Sequence, residues 1–175
     1  LPVKGVTIHD GYKNGIYVKN CIADISECQV QIDGTGDYIN IAASPSATVS
    51  SCTFLGNSSP DTDGIDLDAV GPAIISDNTF KNFKGSNSDG LDIGYSAEVL
   101  VEGNTFSGIS DKGISVGMGS GVEVSHNLFL NCNDGMGIKD LNSRVTADRN
   151  TFYNNTIGIH CFEKDPGRGG GSAEV

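Results

Sequence analysis

Five aspartates, Asp63, Asp66, Asp68, Asp89 and Asp92, fall in two short clusters 26 residues apart, and three cationic side chains follow them, Lys112, Lys139 and His160. Gathered carboxylates do two kinds of chemistry. They hold a hard cation, because calcium takes six to eight oxygen ligands, or they trade protons with a bound substrate. A lysine whose ammonium is destabilised by burial or by its neighbours serves as a general base. An acidic sugar with its carboxylate neutralised by calcium would offer such a base its α-proton, and β-elimination or C5 epimerisation would follow. These options need the two clusters, and then the cations, to be brought onto one surface.

The repeat structure does that. Asn-Thr-Phe occurs at 78–80, 104–106 and 150–152, with Asn127-Leu128-Phe129 as a degenerate copy and Cys28-Gln29-Val30 and Cys52-Thr53-Phe54 as earlier ones. The copies stand 24, 26, 26, 23 and 23 residues apart. A period in the twenties is the mark of a solenoid, whose repeats bury their apolar faces against one another. A second marker, Gly-Ile-x-apolar, occurs at Gly15, Gly64, Gly90 and Gly113, is continued by Gly137-Ile138 and Gly158-Ile159, and is filled in by Tyr38-Ile39-Asn40-Ile41. A third, an apolar-x-apolar pair such as Val99 and Val101, precedes each Asn-Thr-Phe. Each repeat therefore holds three short strands of period two, separated by Gly, Asn, Asp and Ser turns. The expected fold is all-β: a right-handed parallel β-helix of about seven coils of 21–26 residues with three strands per coil.

Stacking at about 4.8 Å per coil gives a rod of roughly 30 Å. Phe54, Phe80, Phe106, Phe129 and Phe152 form an internal ring ladder, and Asn78, Asn104, Asn127 and Asn150 an amide ladder at the preceding corner. Cys28 and Cys52 share the asparagine position, where they read as small fillers rather than a disulfide. The chain reads as one domain, residues 1–175, and its ends, which join in mid-coil, read as those of a fragment of a longer β-helical or multidomain protein. Further coils or domains of the parent, or end-to-end self-association, are the matching partners.

The tetrad turns its x residue outward. With Gly137-Ile138 as one copy, the outward row reads Tyr17, Asn40, Asp66, Asp92, Ser115, Lys139, His160. Two residues beyond stand Lys19, Ala42, Asp68, Gly94 and Gly117, and two before the tetrad's Ile stand Asn14, Asp37, Asp63, Asp89, Lys112 and Met136. One face is thus expected to carry the five aspartates as a calcium site, with Lys112, Lys139, His160, Lys164 and Arg168 above it. Like charges at strand spacing destabilise a sheet, and a cation would relieve Asp66 over Asp92. The alternative is a solvated acidic stripe. Lys112, Lys139 and His160 are the candidate catalytic residues; the alternative is that the lysines pair with aspartates of the coil below. The shorter coil after Ile138 predicts a bulge near Lys139-Asp140, and Tyr17, Tyr38 and Tyr95 are available as sugar platforms.

The chain has 22 acidic and 11 basic residues, a net charge of −11. That argues against nucleic acid or an anionic membrane as partner. No apolar run is long enough to span a bilayer. No Cys/His spacing indicates zinc.

The repeats resemble those of the pectin-lyase-like superfamily over nearly the whole chain. More narrowly, Asp111-Lys112-Gly113-Ile114-Ser115-Val116-Gly117, Gly137-Ile138-Lys139-Asp140 and the loop from Glu163-Lys164 to Gly169-Gly170-Gly171 look like bacterial β-helix modules of large extracellular proteins, some beside spore-coat-kinase-like domains. The resemblance implies secretion or cell-surface display and an acidic polysaccharide or other glycan as ligand. It implies either a polysaccharide lyase or uronate epimerase, closest to those with calcium carboxylates and a lysine base, or a non-catalytic spacer or glycan-binding surface. The chain has no Trp, so the tryptophan-containing signature of the main pectate lyase family is absent.

Overall fold

A computed structural model describes residues 2–11 and 13–175. Its 22 short strands form three parallel sheets of eight, seven and seven strands, and the chain visits the sheets in turn. The strands of the third sheet number the coils: Ile16–Lys19, Ile39–Ala42, Ile65–Asp68, Leu91–Gly94, Lys112–Val116, Asp134–Lys139 and Ile157–Phe162 for coils one to seven. This is the three-stranded, seven-turn β-solenoid that the repeat period predicts.

Alternation decides what fills the centre. In Leu91–Gly94, Leu91 and Ile93 are fully buried while Asp92 faces outward. The five phenylalanines stack in register, with ring centroids 4.7–5.0 Å apart and planes within 11° of parallel. At the corner before them, the backbone N–H groups of Cys52, Asn78, Asn104 and Asn127 donate to the side-chain oxygens of Asn78, Asn104, Asn127 and Asn150 at 2.8–2.9 Å. The asparagine amides also donate to backbone carbonyls of the coil below, as Asn104 Nδ2 does to Ile75 at 2.8 Å. Buried backbone groups that a corner would orphan are satisfied this way. Cys28 and Cys52 are free thiols, and Cys52 Sγ accepts the Cys28 N–H at 3.4 Å, extending the same ladder.

The tetrad glycine is locked to the phenylalanine ladder. A Cβ on Gly64, Gly90, Gly113 or Gly135 would lie 2.6–2.8 Å from the ring of Phe80, Phe106, Phe129 or Phe152. The sixth copy is therefore Gly135-Met136-Gly137-Ile138, not one beginning at Gly137. The expected bulge at Lys139-Asp140 is not there: Asp134–Lys139 pairs regularly with Ile157–Phe162. The coil five to six offset is 23 residues in the second sheet and 22 in the third, so the missing residue falls in the turn before Asp134. The pairing irregularity lies instead between Ile8 and Gly11.

Candidate functional site

With the register fixed, the outward row of the third sheet reads Tyr17, Asn40, Asp66, Asp92, Ser115, Gly137, His160. Lys139 belongs to the neighbouring row, opposite Phe162, and does not share the Asp66–Asp92 ladder as the sequence reading had it. Its stem lies across Gly117, whose absent side chain makes the room, and its Nζ reaches to 3.8 Å from Asp92 Oδ1.

Asp63, Asp89 and Lys112 also differ from expectation, since they do not stand out from the face. They form a corner column with Asp37 and Asp134. Asp37 Oδ1 accepts the Asp63 N–H at 3.3 Å, Asp63 Oδ1 accepts the Asp89 N–H at 2.6 Å, and Asp89 Oδ1 accepts the Lys112 N–H at 2.9 Å. Lys112 is buried, with Nζ 2.5 Å from Asp111 and 3.5 Å from Asp89. Burial alone would lower its pKa, but Asp89 and Asp111 outweigh it and the ammonium is held above its ordinary range. That is the wrong state for a general base.

Burial pushes the Asp63 and Asp89 carboxyls upward; the Asp89 charge adds to the rise at Asp63, while Lys112 opposes it at Asp89. Asp66 is raised to about 7, first by burial and then by the charges of Asp37 and Asp92. It accepts from Asn40 Nδ2 at 2.7 Å. Asp68 is exposed. The five aspartates are therefore split between a corner column and the open face. Among the described residues, no three acidic, histidine or cysteine side chains converge as a metal-holding group. Ser115, directly above Asp92, is fully buried although it faces outward, and its Oγ finds no hydrogen-bond partner among the described residues.

Asp134 is the residue that the sequence reading missed. It lies in the corner column above Lys112, buried, and its Oδ2 is 2.8 Å from His160 Nδ1. His160 packs its other side on Phe162 at a centroid distance of 4.4 Å. The register error that put Met136 in this column hid the pair. Arg168, expected in the cationic cluster, turns to Asp165 within its own loop at 3.9 Å. Tyr38 is fully buried, its hydroxyl donating to the Leu55 carbonyl at 2.7 Å, and is no platform.

At the foot of the face, over coils one to three, lies an open hollow of about 870 Å³. Tyr17, Lys13, Lys19, Asn40, Asp61 and Asp68 line it. Tyr17 is 58% exposed.

A family model described as right handed beta helix region matches residues 37–168, three-quarters of the chain. The chain belongs to the right-handed β-helix family. The match agrees with the wider pectin-lyase-like resemblance of its repeats and with the coil-by-coil path of the three sheets. No curated protein matches the chain. Membership of the right-handed β-helix family fixes architecture, and the chemistry has to be read from the side chains on its faces.

Proposed function

We propose that this right-handed β-helix is a glycan-binding module, secreted or displayed at a cell surface, and that the outer face of its third sheet is the binding face. One observation carries the reading. Polar side chains repeat along this face at strand spacing, from Tyr17 through Asn40, Asp66 and Asp92, and an open hollow lies at its foot. A polysaccharide presents hydroxyls at regular intervals along its length. A ladder of amides and carboxylates can meet them one after another, while an aromatic ring takes the apolar face of a sugar. Probing immobilised neutral and acidic polysaccharides with wild type, Asp66→Asn/Asp92→Asn and Glu123→Gln tests this. Glu123 lies on the first sheet and is the control. Binding weakened by the third-sheet change alone is expected. Retention of no glycan, or equal loss in both variants, would refute the reading.

A second reading, a calcium-dependent lyase or epimerase acting on acidic glycans, is favoured by Asp66 stacked on Asp92 with the unpartnered Ser115 hydroxyl above them. The described residues alone offer no complete cage, so a calcium ion here would draw most of its oxygens from the sugar and from water. Lys139 is the candidate base that remains, since Lys112 is held as an ammonium by two aspartates. His160, oriented by Asp134, is the candidate second proton carrier.

A further inference from the structure

We infer that the hollow at the foot of the third sheet is a subsite for an uncharged sugar ring stacked on Tyr17. The inference rests on the glycan-binding reading and adds the class of sugar.

The hollow exists because two positions lack bulk. Ala42 stands between Lys19 and Asp68 in its row, so coil two leaves a gap where coils one and three project long or charged side chains. Gly36 closes the corner beside it. A Cβ there would lie 2.0 Å from the Lys13 carbonyl oxygen, so the corner is pressed onto coil one and no side chain can fill the space from that side. Its volume of about 870 Å³ falls within the range of small-molecule sites, roughly 300–1,000 Å³.

Tyr17 forms one wall with more than half its surface in solvent. An exposed ring in a concave, polar setting offers a flat apolar platform, which suits the C–H face of a pyranose. Around it, Lys13 and Lys19 supply donors, and Asp61 and Asp68 supply acceptors. A sugar hydroxyl both donates and accepts, so a neutral ring uses both sets.

Charge decides against an acidic sugar at this spot. The hollow holds two lysines against Asp37, Asp61 and Asp68, on a chain of net charge −11. A uronate would meet more acid than base and a repulsive long-range field. A neutral ring loses nothing to that field.

Calorimetric titration of the whole chain, with a chelator present, separates the possibilities. The probes are cello-, manno- and xylo-oligosaccharides and oligogalacturonate. A neutral probe is expected to bind at least about tenfold more tightly than oligogalacturonate, and Tyr17→Ala to weaken it about tenfold, the loss of one stacking contact. Tyr17 is exposed, and an unchanged melting temperature confirms that the variant is folded. Equal binding by Tyr17→Ala, or oligogalacturonate binding as tightly as any neutral probe, would overturn the inference. If binding then disappears in Asp66→Asn/Asp92→Asn, the glycan-binding reading stands without this subsite. If wild type binds none of the probes and retains no immobilised polysaccharide, both fall.

Discussion

Asp66→Asn isolates the cost of placing a carboxylate on the crowded face. Asn40 Nδ2 donates to Asp66 Oδ2 at 2.7 Å, and an asparagine oxygen can take the same bond, so the substitution removes the ionisable group and little else. Burial, with the charges of Asp37 and Asp92, raises the folded carboxyl to about 7, from the roughly 3.9 of an ordinary aspartate. A folded-state value raised above the unfolded one favours the protonated, folded form. The stability it contributes is fully present below about pH 4 and is lost as pH rises through about 7. At about 1.4 kcal/mol per pH unit, the loss has a ceiling on the order of 4 kcal/mol, and partial solvent access reduces it to about 2. Asp66→Asn should therefore match wild type near pH 4 and exceed it by about 2 kcal/mol at pH 8. For a chain of this size that is roughly 4–8 °C in melting temperature. Paired thermal melts at pH 4, 6 and 8 read it directly. A variant equal to or less stable than wild type at pH 8 would show that Asp66 is ionised at no cost in the fold, and the repulsion account would fail.

Three other outcomes follow from the same geometry. Phe106→Ala removes a fully buried ring stacked on both sides and should cost about 3–5 kcal/mol in urea unfolding, whereas Phe152→Ala, at a partly exposed position, should cost less; equal costs would contradict the ladder account. If calcium binds on this face, millimolar calcium should raise the melting temperature of wild type by mass action and not that of Asp66→Asn/Asp92→Asn, and an absent wild-type response would end the calcium reading. If the lyase reading holds, wild type with calcium should release an ultraviolet-absorbing unsaturated product from pectate, alginate or a glycosaminoglycan, and Lys139→Ala should abolish it while Lys112→Ala, where it folds, should still form it; no product from any of the three would leave the binding reading alone.

The fold was legible because its markers are steric. The phenylalanine ring, the glycine that must clear it and the corner asparagine recur together, and each is needed for the other two to stack. The outward rows were legible wherever the tetrad was unambiguous, which placed Asp66 above Asn40 and below Asp92. They failed at coil six, where Gly135-Met136-Gly137-Ile138 offers two glycines two residues apart. Choosing the wrong one moves that coil's assignments by two positions, which keeps the in-out alternation and so gives no warning. Measuring back from the phenylalanine ladder would have chosen Gly135 and put Asp134 in the corner column above Lys112, within reach of His160. The inward turn of Asp63 and Asp89 and the burial of Lys112 were not legible, because a corner residue has no partner in the period-two pattern. Asp63 and Asp89 turn in to accept the next coil's N–H, whereas the asparagines at another corner accept the N–H of the coil before.

Glycan bound on the third sheet would lie against the strands of coils one to four. Backbone amide shifts of the isotope-labelled chain, followed by NMR during titration with the best-retained oligosaccharide, test it most directly. The account predicts perturbations concentrated on Ile16–Lys19, Ile39–Ala42, Ile65–Asp68 and Leu91–Gly94, with the first and second sheets little changed. Shifts centred on Ala73–Ser76 and Val99–Glu102 of the first sheet, or none at saturating sugar, would contradict it.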